Sequence, residues 1–216
     1  MSQPLVIAYH LVWTAYGWWL PNDPRGSGSH AIRSDVLADL GVLHHGRKRI
    51  QPSGSFVRDF QERAEDLLKH PRLSFDDEAV QQLAAAFAQV IADERYTCYA
   101  GVIMPDHVHL LIRKHKHQAE EMIENLQYHS RQQLIESGLC APTHPVWSKG
   151  GGWKVFLEHP DEIRRTIGYI EKNPLPLGQS RQVWPFVMRY DGWPLHPGHS
   201  PNSPYVKAIK AAGRYP

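Results

Sequence analysis

The stretch YTCYAGVIMPDHVHLLIR, residues 96–113, decides the fold. It contains two apolar runs, 96–104 and 107–113, and the pair Pro105-Asp106 between them is typical of a tight turn. The stretch therefore predicts a β-hairpin, and the rest of the chain can be interpreted outward from it.

His107 and His109 lie two residues apart on the second predicted strand, so both side chains project to one face while Val108 points to the other. Two imidazoles that converge in this way can share one metal ion. The alternative is that both are only polar residues on a solvated strand face. Against it, an imidazole without a partner inside an apolar hairpin is costly. On these residues alone both alternatives stay open.

Helical periodicity flanks the hairpin on both sides. Upstream, apolar residues recur every 3.6 positions over about 75–95, and Ser74 with Asp77 has the spacing of a capping box. Downstream, 118–137 shows the same periodicity, and Gly138 marks its end. The hairpin is thus predicted to lie between two helices.

The start of the chain predicts a strand followed by a long excursion. Residues 4–16 are rich in β-branched and aromatic side chains and read as a buried, central strand. Residues 17–73 alternate turn residues with basic clusters and hold one weak helical stretch, 57–69, so we interpret them as an insertion. Four aromatic residues near the first turn could stack on unpaired bases or pack in the core: Trp13, Tyr16, Trp18 and Trp19.

A third helix is predicted over 160–172 and ends at Asn173-Pro174. One stripe at spacing i, i+4, i+7 should pack on the sheet: Ile163, Ile167 and Ile170. Tyr169 and Asn173 are one turn apart on a neighbouring stripe, so a phenol and an amide can face the same small volume. Alternatively, Tyr169 only borders the core and Asn173 only precedes a helix-ending proline.

The order of elements predicts an α+β fold. Residues 145–157 add a short strand, so the series is strand, insertion, helix, hairpin, helix, strand, helix. This series suits an antiparallel sheet with helices on one face. We interpret residues 1–216 as a single domain, with 17–73 as the insertion and 179–216 as an irregular C-terminal tail.

The composition excludes several classes of protein. Hydrophobic residues make up 42% and charged residues 21%, as in an ordinary globular protein rather than a disordered one. The chain has no apolar run of membrane-spanning length and no secretory leader, so we expect a cytoplasmic protein without a membrane partner. Its two cysteines do not suggest a disulfide framework. The net charge of +2 permits binding to nucleic acid without demanding it.

Three motifs together resemble the HUH-type single-tyrosine transposases, and among them the REP-associated tyrosine transposases (IS200-like transposase domain). The motifs are MPDHVHLL at 104–111, VW at 146–147 and GYIEKNP at 168–174. In that family a strand with His-hydrophobic-His precedes a helix whose tyrosine is followed by I-x-x-N-P, and the order and spacing match here. The resemblance covers the first strand and about 75–178, and it implies a ferredoxin-like or RRM-like sheet.

By this resemblance His107, His109 and Asn173 would be metal ligands for Mg or Mn, and Tyr169 would be the nucleophile. The implied activity is that of a transposase: a metal-dependent endonuclease and strand transferase for single-stranded DNA with hairpin structure, acting through a covalent 5′-phosphotyrosine. Family members often have a basic residue after the Asn-Pro, whereas the sequence here continues as LPL at 175–177. The sequence leaves open whether the tyrosine helix serves its own subunit or the partner in a homodimer.

Basic clusters supply candidate contacts to DNA phosphates, although such runs are usually only solvated surface. They comprise Arg47, Lys48, Arg49, Lys114, Lys116, Arg164 and Arg165. An alternative function is a domesticated protein that binds nucleic-acid hairpins without cleaving them. A less favoured one is a metal-dependent phosphodiesterase that uses water instead of tyrosine.

Overall fold

The computed structural model describes residues 6–32, 35–46, 48–150, 152–193 and 210–211. Its centre is a four-stranded antiparallel sheet in the order β2-β3-β1-β4. The strands are β1 (Ala8–Thr14), β2 (Cys98–Ile103), β3 (His107–Arg113) and β4 (Trp153–Leu157). The predicted α+β class, the hairpin and the interior position of the first strand are confirmed.

Helices connect and cover these strands. They are α1 (Asp35–Ala38), α2 (Gly54–Glu65), α3 (Asp77–Asp93), α4 (Ala119–Glu136) and α5 (Pro160–Lys172), with a 3-10 turn at Leu175–Leu177. The series β1-α3-β2-β3-α4-β4, with this strand order, is the ferredoxin-like arrangement. Among the described residues no helix is long and apolar enough to cross a bilayer.

The start of α3 differs from the prediction. Its N-cap is Asp76, whose Oδ1 accepts a hydrogen bond from the backbone N–H of Ala79 at 2.8 Å, and not Ser74. The preceding Phe75 is buried, and its backbone N–H donates to the carbonyl of Pro105 at 2.8 Å. Because Phe75 is tied to the hairpin turn, the helix begins only after it.

Successive residues of each strand point to opposite faces of the sheet, which we call the closed face and the open face. The closed face lies under α3 and α4 and contributes to the main core with Tyr9, Leu11, Trp13, Ile103, Val108, Leu110 and Ile112. The open face carries the alternate residues, and α5 packs on its β2–β3 half through Ile163 and Ile170. The expectation of helices on one face therefore describes α3 and α4, whereas α5 lies on the other side.

The excursion between β1 and α3 has a small hydrophobic cluster of its own, formed by Leu20, Phe60 and Ala64. The predicted weak helix at 57–69 is α2, which begins and ends a few residues earlier. The four aromatic residues near the start of the excursion pack against other parts of the chain. Trp13 is buried, and Tyr16, Trp18 and Trp19 are half-buried. The structure therefore favours the packing alternative for them.

Residues 179–193 of the C-terminal tail form no helix or strand and follow the outer edge of β2. The Gln182 side chain forms with Ile103 the two hydrogen bonds that the backbone of an additional strand would form. Its Oε1 accepts from the backbone N–H of Ile103 at 2.8 Å, and its Nε2 donates to the Ile103 carbonyl at 2.7 Å. The backbone N–H of Met188 donates to the Cys98 carbonyl at 2.8 Å. The tail therefore hydrogen-bonds the edge strand at both of its ends.

Candidate active site

His107 and His109 lie on the open face at the start of β3, directly after the hairpin turn. Their ring centroids are 4.8 Å apart and the rings are nearly perpendicular, at 83°. His109 is buried, whereas the side chain of His107 is half-buried. The alternation along β3 therefore brings two imidazoles to one position at the edge of the core.

Both rings are held through the same nitrogen. Nδ1 of His107 lies 2.6 Å from Oδ1 of Asp106, and Nδ1 of His109 lies 2.9 Å from Nε2 of His10. The Asp106 carboxylate is an acceptor, so His107 donates its Nδ1 proton to it. Nε2 of each ring then remains as the nitrogen available to a ligand.

His10 was missed by the sequence reasoning. It lies on β1 with its side chain on the open face, buried, and its ring stacks on that of His109 with centroids 5.1 Å apart. The available signal was a polar residue within an otherwise apolar predicted strand, where burial without a partner is costly.

The two buried imidazoles are neutral at neutral pH. Burial lowers the pKa of His10 to about 4. Burial, followed by the charges of His107 and His10, holds the pKa of His109 well below its usual value. Neutral imidazole is the form that binds metal ions.

Asp106 is ionised beside them. Burial would raise the pKa of this carboxyl, but the hydrogen bond and charge of His107, with the charge of Arg25, lower it below its usual value. Arg25 belongs to the excursion, and its side chain forms two hydrogen bonds to Asp23, at 2.9 and 2.7 Å. The excursion thus brings a cation close to the histidine pair.

Tyr169 meets the histidines from α5. Its ring centroid lies 5.6 Å from that of His109 and 6.0 Å from that of His10, in edge-to-face geometry with both. The helix is fixed by the burial of Ile163 and Ile170 against the sheet, yet Tyr169 remains 51% exposed. The phenol is therefore in contact with the histidine cluster and accessible to a large substrate.

Asn173 caps the C-terminus of α5, as the sequence predicted. Its Nδ2 donates a hydrogen bond to the carbonyl of Tyr169 at 2.9 Å. Within the described part of the chain no hydrogen bond joins Asn173 to His107 or His109. The amide is thus placed one turn from the tyrosine, and its oxygen is not used by the helix.

A metal ion at this place would have few protein ligands. Across the described ranges, no three His, Cys, Asp or Glu side chains are grouped so that they could hold a metal ion. The donors that fit are the imidazoles of His107 and His109, whose orientation is fixed through Nδ1, and an amide oxygen. Two nitrogen ligands with oxygens suit Mn or similar ions.

The basic residues on α5 lie close to the tyrosine. Arg165 is exposed one turn before Tyr169, and Lys172, which the sequence analysis did not single out, is exposed one turn after it. Arg164 is also exposed, but it forms an ion pair with Asp161 at 2.7 Å.

The other predicted basic residues are more distant or belong to the excursion. Lys114 and Lys116 are exposed beyond the far end of β3, roughly 17 Å along the strand from His109. Lys48 and Arg49 are exposed in the excursion. Arg47 lies outside the described residues.

Two solved structures are similar to this chain at low sequence identity. One is a REP-associated tyrosine transposase bound to a REP hairpin, with 14% identity and a TM-score of 0.42, covering 100% of this chain and 87% of that one. The other is a protein from Deinococcus radiodurans R1 that is provisionally described as a transposase. It has 15% identity and a TM-score of 0.40, covering 80% of this chain and 94% of that one. No curated protein is recognisably similar in sequence.

A family match covers the segment that builds the site. Residues 67–173 match the family described as "Transposase IS200 like". This segment runs from the end of the excursion through β2, β3, α4 and β4 to the C-cap of α5, and it contains His107, His109, Tyr169 and Asn173. This segment, just under half of the chain, belongs to the IS200-like transposase family.

Proposed function

We propose that this protein is a metal-dependent endonuclease and strand transferase for single-stranded DNA, and that Tyr169 is its nucleophile. The observation that supports it best is the contact between the exposed Tyr169 ring and the buried ring of His109, at 5.6 Å. A phenol that serves only the core would be buried and would need no cluster of neutral imidazoles beside it.

The reaction proceeds by attack of the Tyr169 oxygen on a phosphodiester phosphorus. The Tyr169 O–H bond breaks as the Tyr169 O–P bond forms, the bond from phosphorus to the 3′ oxygen breaks, and the departing 3′ oxygen takes up a proton, so no proton is gained or lost overall. The products are a 5′-phosphotyrosine and a free 3′-OH. Attack of a 3′-OH on this linkage reverses the process, so joining needs no external energy source.

His107 and His109 would hold Mg or Mn through Nε2, with the Asn173 amide oxygen as third protein ligand. When bound, such an ion neutralises phosphate charge and polarises the scissile phosphate. The ordinary pKa of a tyrosine, about 10, makes a protonated phenol a weak nucleophile, so this field is needed.

Asp106 and His10 act by positioning these ligands. A histidine that binds metal through Nε2 carries its proton on Nδ1 and donates it to a neighbour. Asp106 accepts this proton from His107, and Nε2 of His10 would accept it from His109. His10 therefore selects the tautomer in which Nε2 of His109 keeps its lone pair.

The substrate would be single-stranded DNA with a hairpin. Arg165 and Lys172 flank Tyr169 on α5, so they are the best-placed contacts to the phosphates beside the scissile bond. Lys48, Arg49, Lys114, Lys116 and Arg164 remain predicted contacts for more distant phosphates. Such contacts supply affinity without sequence preference.

The test is formation of a covalent adduct. The full chain is incubated with hairpin-bearing, labelled single-stranded DNA and Mn²⁺, and labelled protein is detected after denaturing electrophoresis. We expect an adduct from the parent and none from Tyr169→Phe. Tyr128→Phe is the matched control, because Tyr128 is 60% exposed on α4, away from the open face, and should form as much adduct as the parent.

Other outcomes select the alternatives. An equal adduct from Tyr169→Phe contradicts the assignment of the nucleophile. Hairpin binding that persists in chelator, with no adduct under any metal, indicates a binding protein without cleavage activity. Cleavage that survives Tyr169→Phe but is lost in His107→Ala indicates a phosphodiesterase that uses water.

A further inference from the structure

Among the described residues, no helix packs on the end of the open face that β1 and β4 form beside His109. Helix α5 packs on β2 and β3 and reaches Ala8 and Leu157, whereas Val12, Trp153 and Val155, which we call the uncovered patch, lie beyond it. Trp153 is 50% exposed and Val155 is 37% exposed. The indole of Trp153 is thus a large apolar group that remains partly exposed to water, although other residues of the same sheet face are buried.

The uncovered patch adjoins the histidine pair in register. His109 pairs with Val12 across β1, and Val12 pairs with Trp153 across β4, so the three side chains form one row on the open face. Two strand spacings separate the backbones of His109 and Trp153 by roughly 10 Å, a span that a stacked strand covers in about three nucleotides.

One glycine fixes the backbone before Trp153, and another contacts its indole. Gly152 has φ +68°, and a Cβ there would collide with the Val12 carbonyl, so residue 152 must stay a glycine for β4 to begin against β1. Gly28 of the excursion lies against the indole, where a Cβ would be 3.4 Å from Cε3 of Trp153. A ring fixed before binding loses little conformational entropy when a base stacks on it.

Size favours nucleic acid as the occupant. Trp153 and Val155 together expose on the order of 200 Å² of apolar surface, far less than the roughly 800 Å² per partner of a stable protein interface. A single aromatic platform is sufficient for one unpaired base, because every base has an apolar face that can stack on an indole.

We infer that the uncovered patch binds the single strand next to the scissile phosphate, and that an unpaired base stacks on Trp153. This inference rests on the proposed function, since it takes single-stranded DNA as the substrate. It adds a contact that the His107, His109 and Tyr169 cluster does not provide. It also gives the excursion a role, because Gly28 supports the indole.

The test compares two aromatic residues of the same strand. Trp153→Ala is set against Phe156→Ala, because Phe156 is also 50% exposed but lies on the closed-face side of β4. Both are made in a Tyr169→Phe background, so that binding is measured without cleavage. The Kd for labelled single-stranded DNA is measured by fluorescence anisotropy at several salt concentrations, with thermal unfolding as a check on the fold.

We expect Trp153→Ala to weaken binding about 5- to 100-fold without changing the salt dependence, since stacking releases no counterions. Trp153→Phe should retain part of the affinity, and Phe156→Ala should stay within about twofold of the parent. In DNA with 5-iodouracil within three nucleotides of the scissile phosphate, light should cross-link the base to Trp153, as identified by mass spectrometry.

The two proposals fail in different ways. If the parent forms the Tyr169 adduct but Trp153→Ala binds normally and no cross-link forms, stacking is wrong and the proposed function stands. If no adduct forms but binding depends on Trp153, the patch is correct and cleavage is wrong. If Trp153→Ala changes the oligomeric state instead of the affinity for DNA, the patch is a contact between copies of the chain, and the inference is overturned.

Discussion

The two faces of the sheet are built by alternate residues of the same strands, yet they differ in what covers them. The closed face lies under two long helices, and Val108 and Leu110 of β3 are fully buried there. The open face lies under α5 with Tyr190 and Trp193 of the C-terminal tail, and it carries His107 and His109 beside the uncovered patch. Alternate residues of β3 therefore have different roles: those on the closed face stabilise the fold, and those on the open face form the candidate site. Neighbouring positions of β3 should respond to mutation in different ways.

The largest effect is expected from His109→Gln on the open face. In the proposed mechanism His109 holds the metal ion, so its loss should slow adduct formation about 10³-fold, because a bound ion supplies several kcal/mol of transition-state stabilisation. The measurement is the time course of adduct formation in Mn²⁺, with circular dichroism to show that the fold is retained. A rate within tenfold of the parent contradicts a ligand role for His109.

Leu110→Ala, one residue further along β3, should act on stability instead. Truncating a fully buried leucine should lower the free energy of unfolding by about 2–5 kcal/mol. Urea denaturation measures this change, and Val155→Ala on the uncovered patch is the control, expected within about 0.5 kcal/mol of the parent. Equal losses from both variants would show that the two faces do not differ in this respect.

His10→Phe should weaken Mn²⁺ binding by about 10- to 100-fold, because the acceptor that orients His109 is removed while the ring is kept. Isothermal titration with Mn²⁺ in the absence of DNA measures this affinity. His10→Gln, which restores an acceptor oxygen, should recover part of the loss. The positioning role is rejected if both variants bind Mn²⁺ as the parent does.

The smallest effect is expected on the closed-face side, at the N-cap of α3. Asp76→Ala should destabilise the protein by about 1 kcal/mol and leave the adduct rate unchanged. Asp76→Asn keeps an accepting oxygen and should lose less. Thermal unfolding and the adduct assay measure the two effects, and a slower adduct in Asp76→Ala would show that α3 is coupled to the open face.

The sheet and its helices could be predicted because they depend on local patterns. The turn at Pro105-Asp106, the alternation along β3 and the periodicity of α3 to α5 each act within one element. The position of α5 on the opposite face from α3 and α4 could not be predicted, because it depends on tertiary packing of Ile163 and Ile170. The start of α3 was misplaced for the same reason, since Phe75 is held by the hairpin turn.

The candidate site was predicted only in part. His107, His109 and Tyr169 come from a strand and a helix far apart in sequence. Only the resemblance of their motifs to a known family predicted that they form one site. Neither His10 nor Trp153 belongs to those motifs. Their relation to His109 depends on the register of β1 with β3 and with β4, which no single segment of the sequence specifies.

The paired hydrogen bonds of Gln182 with Ile103 have a consequence for association between molecules. An edge strand with unpaired N–H and C=O groups can recruit a strand from another chain and so promote aggregation. The Gln182 amide imitates one peptide unit of an additional strand, so β2 has its pairing groups occupied at that position. One side chain from the irregular tail thereby acts as a gatekeeper that keeps the sheet at four strands on this side.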